Sequence, residues 1–288
     1  MPLTRSNHKK GGVLLINPPP SINWDYSKKE YYAPPLGILS IATVLKKNGF
    51  SVKLIDGVYD PHYTRHAEEY FREKEILFAG LSVMTAQLPG ALETAQRLRA
   101  INPTTPLVWG GIHPSLLPEQ TARHELVDVA VIGEGEYTCL EIAQAIARGQ
   151  NFAGISGSAC LCNGLIIKGA PREPLNLNDL PFFDYSLLDI EMYISKNRSD
   201  VGGKNLKTGP LRRSLPILSG LGCPYTCAFC VESILKKKYR TRSAEQLIEE
   251  IKKIIRLYAI NDVTFVDDLF FADKKRLLSF MDLLEQEK

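Results

Sequence analysis

Cys223, Cys227 and Cys230 stand in the stretch Gly222-Cys223-Pro224-Tyr225-Thr226-Cys227-Ala228-Phe229-Cys230, at the spacing C-x3-C-x2-C. Thiolates are soft ligands, and three on one short loop can each take one corner of an iron–sulfur cluster. Such clusters normally take four cysteines. The other three in the chain, Cys139, Cys160 and Cys162, lie far upstream, so a three-thiolate site here leaves one iron open to bind something else. A structural zinc site wants four protein ligands, and no histidine follows His124 to complete one. A thioredoxin-type pair of Cys227 and Cys230 leaves Cys223 without a task. Buried structural cysteines are the remaining alternative.

The elements around this loop have a recognisable order. Leu215 to Ser219 is a short apolar run that reads as a strand feeding the cysteines. Ser243-x-x-Gln246 is a capping box opening a helix, with Leu247, Ile248, Ile251, Ile254, Ile255 and Tyr258 at helical period. Val263 to Val266 is the next strand and ends at Asp267-Asp268. Asp273 caps a last helix whose apolar side includes Leu277, Met281 and Leu284. Strand, cysteine loop, helix, strand, helix is the start of a β/α barrel, where active residues sit at the carboxyl ends of strands. All three cysteines, Asp267 and Asp268 are at such ends. The two acids read equally as ligand contacts or as solvated strand-end residues.

The first half of the chain alternates short apolar runs with helical patterns. Strands are expected at Val13 to Asn17, Ser51 to Asp56, Ile76 to Val83, Pro106 to Trp109 and Val127 to Ile132. Helices are expected over Leu36 to Asn48, Ala67 to Lys74, Pro89 to Ala100 and Tyr137 to Arg148. This alternation predicts an α/β fold: a five-stranded parallel sheet with helices on both faces, in the flavodoxin-like (Rossmann-like) order 2-1-3-4-5. Ligands of such sheets bind at the carboxyl ends of the strands, and the special residues collect there. They are Asn17 and Pro18 after strand one, Ser82 and Thr85 after strand three, Gly110, Gly111 and His113 after strand four, and Gly133, Glu134 and Glu136 after strand five. Glycines at these points let a bulky ligand approach the backbone. No G-x-G-x-x-G follows strand one, which argues against a dinucleotide. Ile155 to Lys168 reads as a hairpin turning at Asn163-Gly164, with Cys160 and Cys162 on one side of one strand in ordinary packing.

The 288 residues suffice for about two domains. A net charge of +3 is too small to argue for nucleic acid or an anionic membrane. No run approaches the roughly twenty apolar residues of a membrane span, and six cysteines in this length make no disulfide scaffold. A reducing cytoplasm is the expected compartment.

C-x3-C-x2-C with Phe229 before its last cysteine resembles the signature of radical S-adenosylmethionine enzymes. In that family the three cysteines hold a [4Fe-4S] cluster, the open iron is chelated by S-adenosylmethionine, and an electron from the cluster cleaves the sulfonium to a 5′-deoxyadenosyl radical. Upstream, Asn17-Pro18-Pro19, Pro34-Pro35-Leu36-Gly37, Gly80-Leu81-Ser82-Val83-Met84-Thr85, Gly110-Gly111-Ile112-His113 and Gly133-Glu134-Gly135-Glu136 resemble, in order, the motifs of the cobalamin-binding domain that precedes many radical S-adenosylmethionine barrels. This second resemblance covers about residues 11 to 195. Cobalamin domains of the methionine synthase type carry a cobalt-ligating histidine in D-x-H-x-x-G after strand one. Asn17 to Ser21 contains none, so the resemblance implies a corrinoid with its base displaced and His113 as a neighbour. Asp267 and Asp268 stand where many of these enzymes carry G-G-E, which contacts the methionyl amine.

The resemblance implies three segments: a cobalamin-binding domain over 11–150, a hairpin and linker over 151–213, and a truncated radical S-adenosylmethionine domain over 214–288, holding the first two β/α units of its partial barrel. It implies methyl transfer to an unactivated carbon, with [4Fe-4S], S-adenosylmethionine and cobalamin as cofactors, a small-molecule substrate and an electron donor such as flavodoxin or ferredoxin. Alternatives are corrinoid radical chemistry without methylation, such as oxidative cyclisation or ring rearrangement, and an inactive corrinoid-binding module. The chain reads as an N-terminal fragment, with activity belonging to the longer parent.

Overall fold

The computed structural model describes residues 11–21, 23–25, 33–196, 212–235 and 238–287. Of the expected linker over 151–213, residues 197–211 lie outside the described residues. The chain divides into two compact units, one built from the described residues up to 25 with 37–173, the other from 33–36 with 174–287.

The first unit runs β1 (Gly12–Asn17), α1 (Leu36–Lys47, its first residue in the other unit), β2 (Ser51–Asp56), α2 (Tyr63–Glu73), β3 (Ile76–Ser82), α3 (Leu88–Ile101), β4 (Leu107–Gly110), α4 (Ile112–Leu116), α5 (Pro118–Ala122), β5 (Val129–Val131), α6 (Glu136–Ala147), β6 (Ser158–Cys162) and β7 (Leu165–Lys168). Strands β1 to β5 pair in parallel in the order β2-β1-β3-β4-β5, the order that the sequence pattern predicts. Leu14, Ile16, Ala79, Leu81, Leu107 and Trp109 form one core with Ala67 and Phe71 of α2 and Ala91, Ala95 and Leu98 of α3. Val13, Leu15 and Phe78, of opposite parity on their strands, are equally buried, as a parallel sheet covered on both faces requires. Helix α2 starts four residues before the expected Ala67, because Tyr63 is buried with its hydroxyl 3.2 Å from Thr94 Oγ1.

The sheet does not stop at five strands. The hairpin expected in the connecting segment joins it, β6 pairing antiparallel with β5 and β7 with β6, so the sheet has seven strands among the described residues. Asn163 and Gly164 take φ of 51° and 79°, the left-handed pair of a tight hairpin turn. The hairpin covers the β5 edge, which would otherwise present unpaired backbone.

The second unit contains α7 (Ile190–Lys196), β8 (Ser214–Ile217), β9 (Gly220–Leu221), α8 (Val231–Ile234), β10 (Arg240–Thr241), α9 (Ala244–Tyr258), β11 (Asp262–Phe265) and α10 (Lys274–Gln286). β11 lies parallel to β8, and β10 antiparallel to β9. The capping box on α9 is half formed. Ser243 Oγ accepts from Gln246 N at 3.3 Å, but Gln246 Nε2 donates to Asn178 O at 3.0 Å, and Ser243 N donates to Asn178 Oδ1 at 2.9 Å. Asn178 thus takes the return half of the box. On α10, Arg276 and Phe280 are buried, whereas Met281 and Leu284 of the expected apolar stripe are exposed.

Candidate functional site

The loops at the carboxyl ends of β1, β3, β4 and β5 are fastened to one another by side chains remote in sequence. Asn17 Nδ2 donates to Asp56 Oδ1 at the end of β2 (2.8 Å), and Asn17 Oδ1 accepts from Gln87 Nε2 (3.0 Å). Gln87, only 3% exposed, also donates to Pro18 O at 2.7 Å and accepts from Met84 N at 2.9 Å. At Gly90, in the first turn of α3, a Cβ would lie 2.1 Å from Pro19 O. The Asn17-Pro18-Pro19 loop is therefore stapled to the turn after β3. Both polar ends of Asn17, expected to face a ligand, bond protein instead, and Pro18 is buried with its carbonyl engaged.

The second fastening joins β3, β4 and β5. Ser82 pairs with Gly110 in the sheet. Val83 N donates to Gly110 O at 2.7 Å, and His113 N to Val83 O at 3.0 Å. Gly111 has φ of 102°, and a Cβ on it would lie 2.8 Å from Val83 O and 2.9 Å from Val83 N. Only glycine fits there. The close approach that the sequence suggests for a ligand is made by the protein's own backbone. Ser115 Oγ donates to Gly111 O at 2.7 Å and accepts from Gly133 N at 2.9 Å, tying the turn after β4 to the turn after β5. Glu136, expected at the ligand, is buried in the first turn of α6, where the helix dipole favours a carboxylate, and accepts from Ser40 Oγ at 2.7 Å.

What remains open above these braces is a smaller set. Met84 is 54% exposed and Thr85 is exposed beside it. His113 is 7% exposed, with Nδ1 3.3 Å from Thr85 Oγ1. Burial lowers its pKa and favours the neutral ring. Ser82 is half-buried and its hydroxyl has no hydrogen-bond partner among the described residues. Gly133 has φ of 76° with open space where a Cβ would stand, and Glu134 is half-exposed next to it. These groups offer an aromatic nitrogen, hydroxyls, a thioether and uncovered backbone, a lining that suits a large amphipathic ring with polar edges.

In the second unit, Cys223, Cys227 and Cys230 lie on the loop between β9 and α8. Cys223 and Cys230 are half-buried and Cys227 is exposed. A bond from Cys230 N to Cys227 O, 3.0 Å, closes a turn. Phe229 is 91% exposed. Among the described residues no three His, Cys, Asp or Glu side chains gather as a metal-binding set, so the three thiols share a loop without converging. Their chemistry nevertheless fits a three-thiolate cluster: three soft donors within eight residues, on an exposed loop whose rearrangement disturbs no core. Metal–ligand bonding is strong enough to order such a segment.

The paired acids after β11 separate. The Asp267 side chain is 2% exposed. It accepts from Ser219 N at 2.6 Å and from Ser219 Oγ, and lies 4.0 Å from the Arg276 guanidinium. Arg276 in turn donates to Ser219 O at 3.2 Å and Ser219 Oγ at 2.9 Å, and packs 4.9 Å over the Phe270 ring. Asp267 is thus spent on holding Ser219, which joins β8 to β9 four residues before Cys223. Asp268 is exposed. Among the residues expected to contact a cofactor, Asn17, Glu136 and Asp267 are turned to protein partners. Gln87, Asp56, Ser115 and Arg276 carry the loops without having been singled out by sequence.

Residues 27–143 match the B12 binding domain family. Over 257 residues the chain is 29% identical to an uncharacterized methyltransferase of Pyrococcus horikoshii, covering 88% of this chain and 53% of the relative. Over 286 residues it is 24% identical to an anaerobic magnesium-protoporphyrin IX monomethyl ester cyclase of Rubrivivax gelatinosus, covering 96% and 46%. The chain spans about half the length of these curated relatives. Among solved structures, it superposes on the cobalamin-dependent S-adenosylmethionine radical enzyme OxsB with a TM-score of 0.76 at 20% identity, covering 97% of this chain and 38% of that one. It superposes on the radical S-adenosylmethionine methyltransferase TsrM of Kitasatospora setae with a TM-score of 0.71 at 21% identity, covering 97% and 52%. The fold is shared with both.

Proposed function

We propose that this chain, which contains a B12-binding domain, carries the corrinoid and cluster sites of a cobalamin-dependent radical S-adenosylmethionine enzyme that transfers a methyl group to an unactivated carbon of a small molecule. The observation that carries this reading is the occurrence in one chain of a B12-binding domain and a C-x3-C-x2-C loop between two parallel strands and their helices. When bound, the cofactors supply reductive cleavage of S-adenosylmethionine and a transferable methyl group.

Cys223, Cys227 and Cys230 are the iron ligands in this reading, with Phe229 and Asp268 flanking them toward S-adenosylmethionine. Asp267, with Ser219 and Arg276, positions the strand end that feeds the loop. Ser82, Thr85, His113, Gly133 and Glu134 contact the corrinoid, to which we add Met84. Gly110 and Gly111 shape the wall beside them, and Asn17, Pro18 and Glu136 brace it from behind. His113, neutral and buried, serves as a hydrogen-bonding neighbour. The electron donor is a flavodoxin or ferredoxin, and the compartment is the reducing cytoplasm. No described helix is long and apolar enough to cross a membrane.

A second reading has a specific support: relatives named as cyclases match the chain along with those named as methyltransferases. In it the same cofactors serve oxidative cyclisation. Anaerobic reconstitution of the chain with iron, sulfide and hydroxocobalamin tests the shared part. One [4Fe-4S] cluster and one cobalamin per chain are expected, and a chain that retains neither overturns it. Product mass from the longer protein then separates the readings, a gain of one methyl group supporting transfer.

A further inference from the structure

The sulfurs of Cys160 and Cys162 lie 3.5 Å apart on β6, in the first unit. Their residues are two apart on one strand, so they share a face, yet same-face neighbours on a strand are ordinarily about 6.6 Å apart along the chain direction. The two side chains lean toward each other until the sulfurs touch. They are also unequal. Cys160 is 2% exposed, with Sγ 3.9 Å from Ile167 O across the hairpin. Cys162 is half-buried and sits immediately before the Asn163-Gly164 turn. Among the described residues, β7 lies beyond β6 as the last strand of the sheet. Leu161 and Leu165 near the turn are exposed, so the end of the hairpin can bend without opening the core.

We propose that Cys160 and Cys162 form an oxidisable dithiol, closed to an intrastrand disulfide by exchange with a low-molecular-weight disulfide. This site is separate from the cofactor chemistry above and does not rest on it. The Cys162 thiolate, the sulfur that a reagent can reach, attacks one sulfur of the small disulfide. A mixed disulfide forms at Cys162 and the first small thiolate leaves. The Cys160 sulfur then attacks the Cys162 sulfur, which breaks the mixed disulfide, forms the Cys160–Cys162 bond and releases the second small thiolate. The protein pair loses two electrons, the small disulfide gains them, and the two thiol protons pass to the released thiolates. Burial and the neighbouring sulfur push the Cys160 thiol up to about 11, so little of it is thiolate near neutral pH, the second step is the slower one, and the 3.5 Å sulfur contact is what promotes it. A bridge between residues two apart on a strand sits at the long end of disulfide geometry, so it is readily reduced again.

The test is peptide-resolved thiol trapping of the whole chain, kept anaerobic, before and after excess glutathione disulfide. Cleavage after Arg148 and Lys168 isolates a segment whose only cysteines are Cys160 and Cys162. After the challenge this segment is expected to lose both alkylation sites, to weigh two hydrogen atoms less, and to regain both sites on adding dithiothreitol. In Cys160→Ser the expected product is a stable glutathione adduct on Cys162. Two still-alkylatable cysteines in the wild-type segment, or a persistent adduct on Cys162 with Cys160 free, overturns the proposal and leaves the sulfur contact as packing.

Discussion

The two units treat their strand-end loops in opposite ways. In the first, the loops after β1, β3, β4 and β5 are bonded to one another through Gln87, Val83 and Ser115, with glycine at the point of closest approach. In the second, the strand ends are braced by Asp267 and Arg276, but the cysteine loop beyond them is exposed and its thiols do not converge. The difference follows from the ligands proposed for each. A corrinoid is held by many weak contacts, and every loop ordered on binding subtracts from affinity, so a surface formed in advance gains most. A cluster is held by three iron–thiolate bonds, which are strong enough to order their own loop. Mutations should therefore separate the two sites cleanly.

The largest effect is expected at the cysteines. Cys223→Ala, Cys227→Ala and Cys230→Ala should each abolish stable cluster incorporation, read as iron and sulfide content and as cluster absorbance after anaerobic reconstitution. Cobalamin binding should be untouched. Equal iron in the triple variant and the wild type would sink the assignment of these residues.

Asp267→Ala comes next. Removing it leaves Arg276 buried without its carboxylate and Ser219 N without an acceptor. Breaking a buried charged pair from one side costs about 3 kcal/mol. Earlier urea unfolding and faster proteolysis of the second unit are expected, together with poorer cluster loading. A variant with wild-type protection would mean that Asp267 is free to serve a ligand, as its position in the sequence first suggests.

Gly111→Ala tests the opposite unit. The added Cβ meets the Val83 backbone and forces a non-glycine residue to φ of 102°, a strain of about 2 kcal/mol. Thermal unfolding should report it, and cobalamin affinity should fall because the wall moves. Iron content should not change. If this variant lost iron as readily as cobalamin, the separation of the two sites would fail.

These variants also mark what was legible in the sequence. Strand number and order in the parallel part were readable because each β/α unit has its own local period, and the loops announced themselves through Gly and Pro. The side chains that fasten the loops were not readable. Asn17 meets a partner 39 residues away, Gln87 one 70 residues away, and Arg276 one 57 residues away. No local spacing encodes such pairs. Asp267 and Asp268 show the limit sharply. Their place just past a strand end was evident, but Asp267 lies beyond β11 and Asp268 opens a turn, and only the fold decides that Asp267 turns inward. The docking of the hairpin on β5 was missed for a similar reason: the Asn163-Gly164 turn signals a hairpin, not which edge it will cover.

The smallest expected effect concerns His113 and the acid side of the pH range. Burial holds its folded-state pKa below the ordinary value of 6.5, so the unfolded chain binds a proton there more readily than the folded one. At pH above the unfolded value the ring is neutral in both states and contributes no pH dependence. As pH falls below about 6.5, the unfolded state gains the proton first, and stability is lost until pH passes the folded-state pKa, below which the loss levels off. His113→Gln keeps a polar side chain near Thr85 and removes the titration. The difference in unfolding free energy between wild type and His113→Gln should therefore be flat from pH 8 to 7 and tilt against the wild type between pH 6.5 and 5. Bound cobalamin that keeps the ring neutral should carry the same tilt into its affinity. A difference that stays flat down to pH 5 would mean that the His113 ring is as well solvated when folded as when unfolded, and that the turn after β4 is more open than its bonds to Val83 and Ser115 imply.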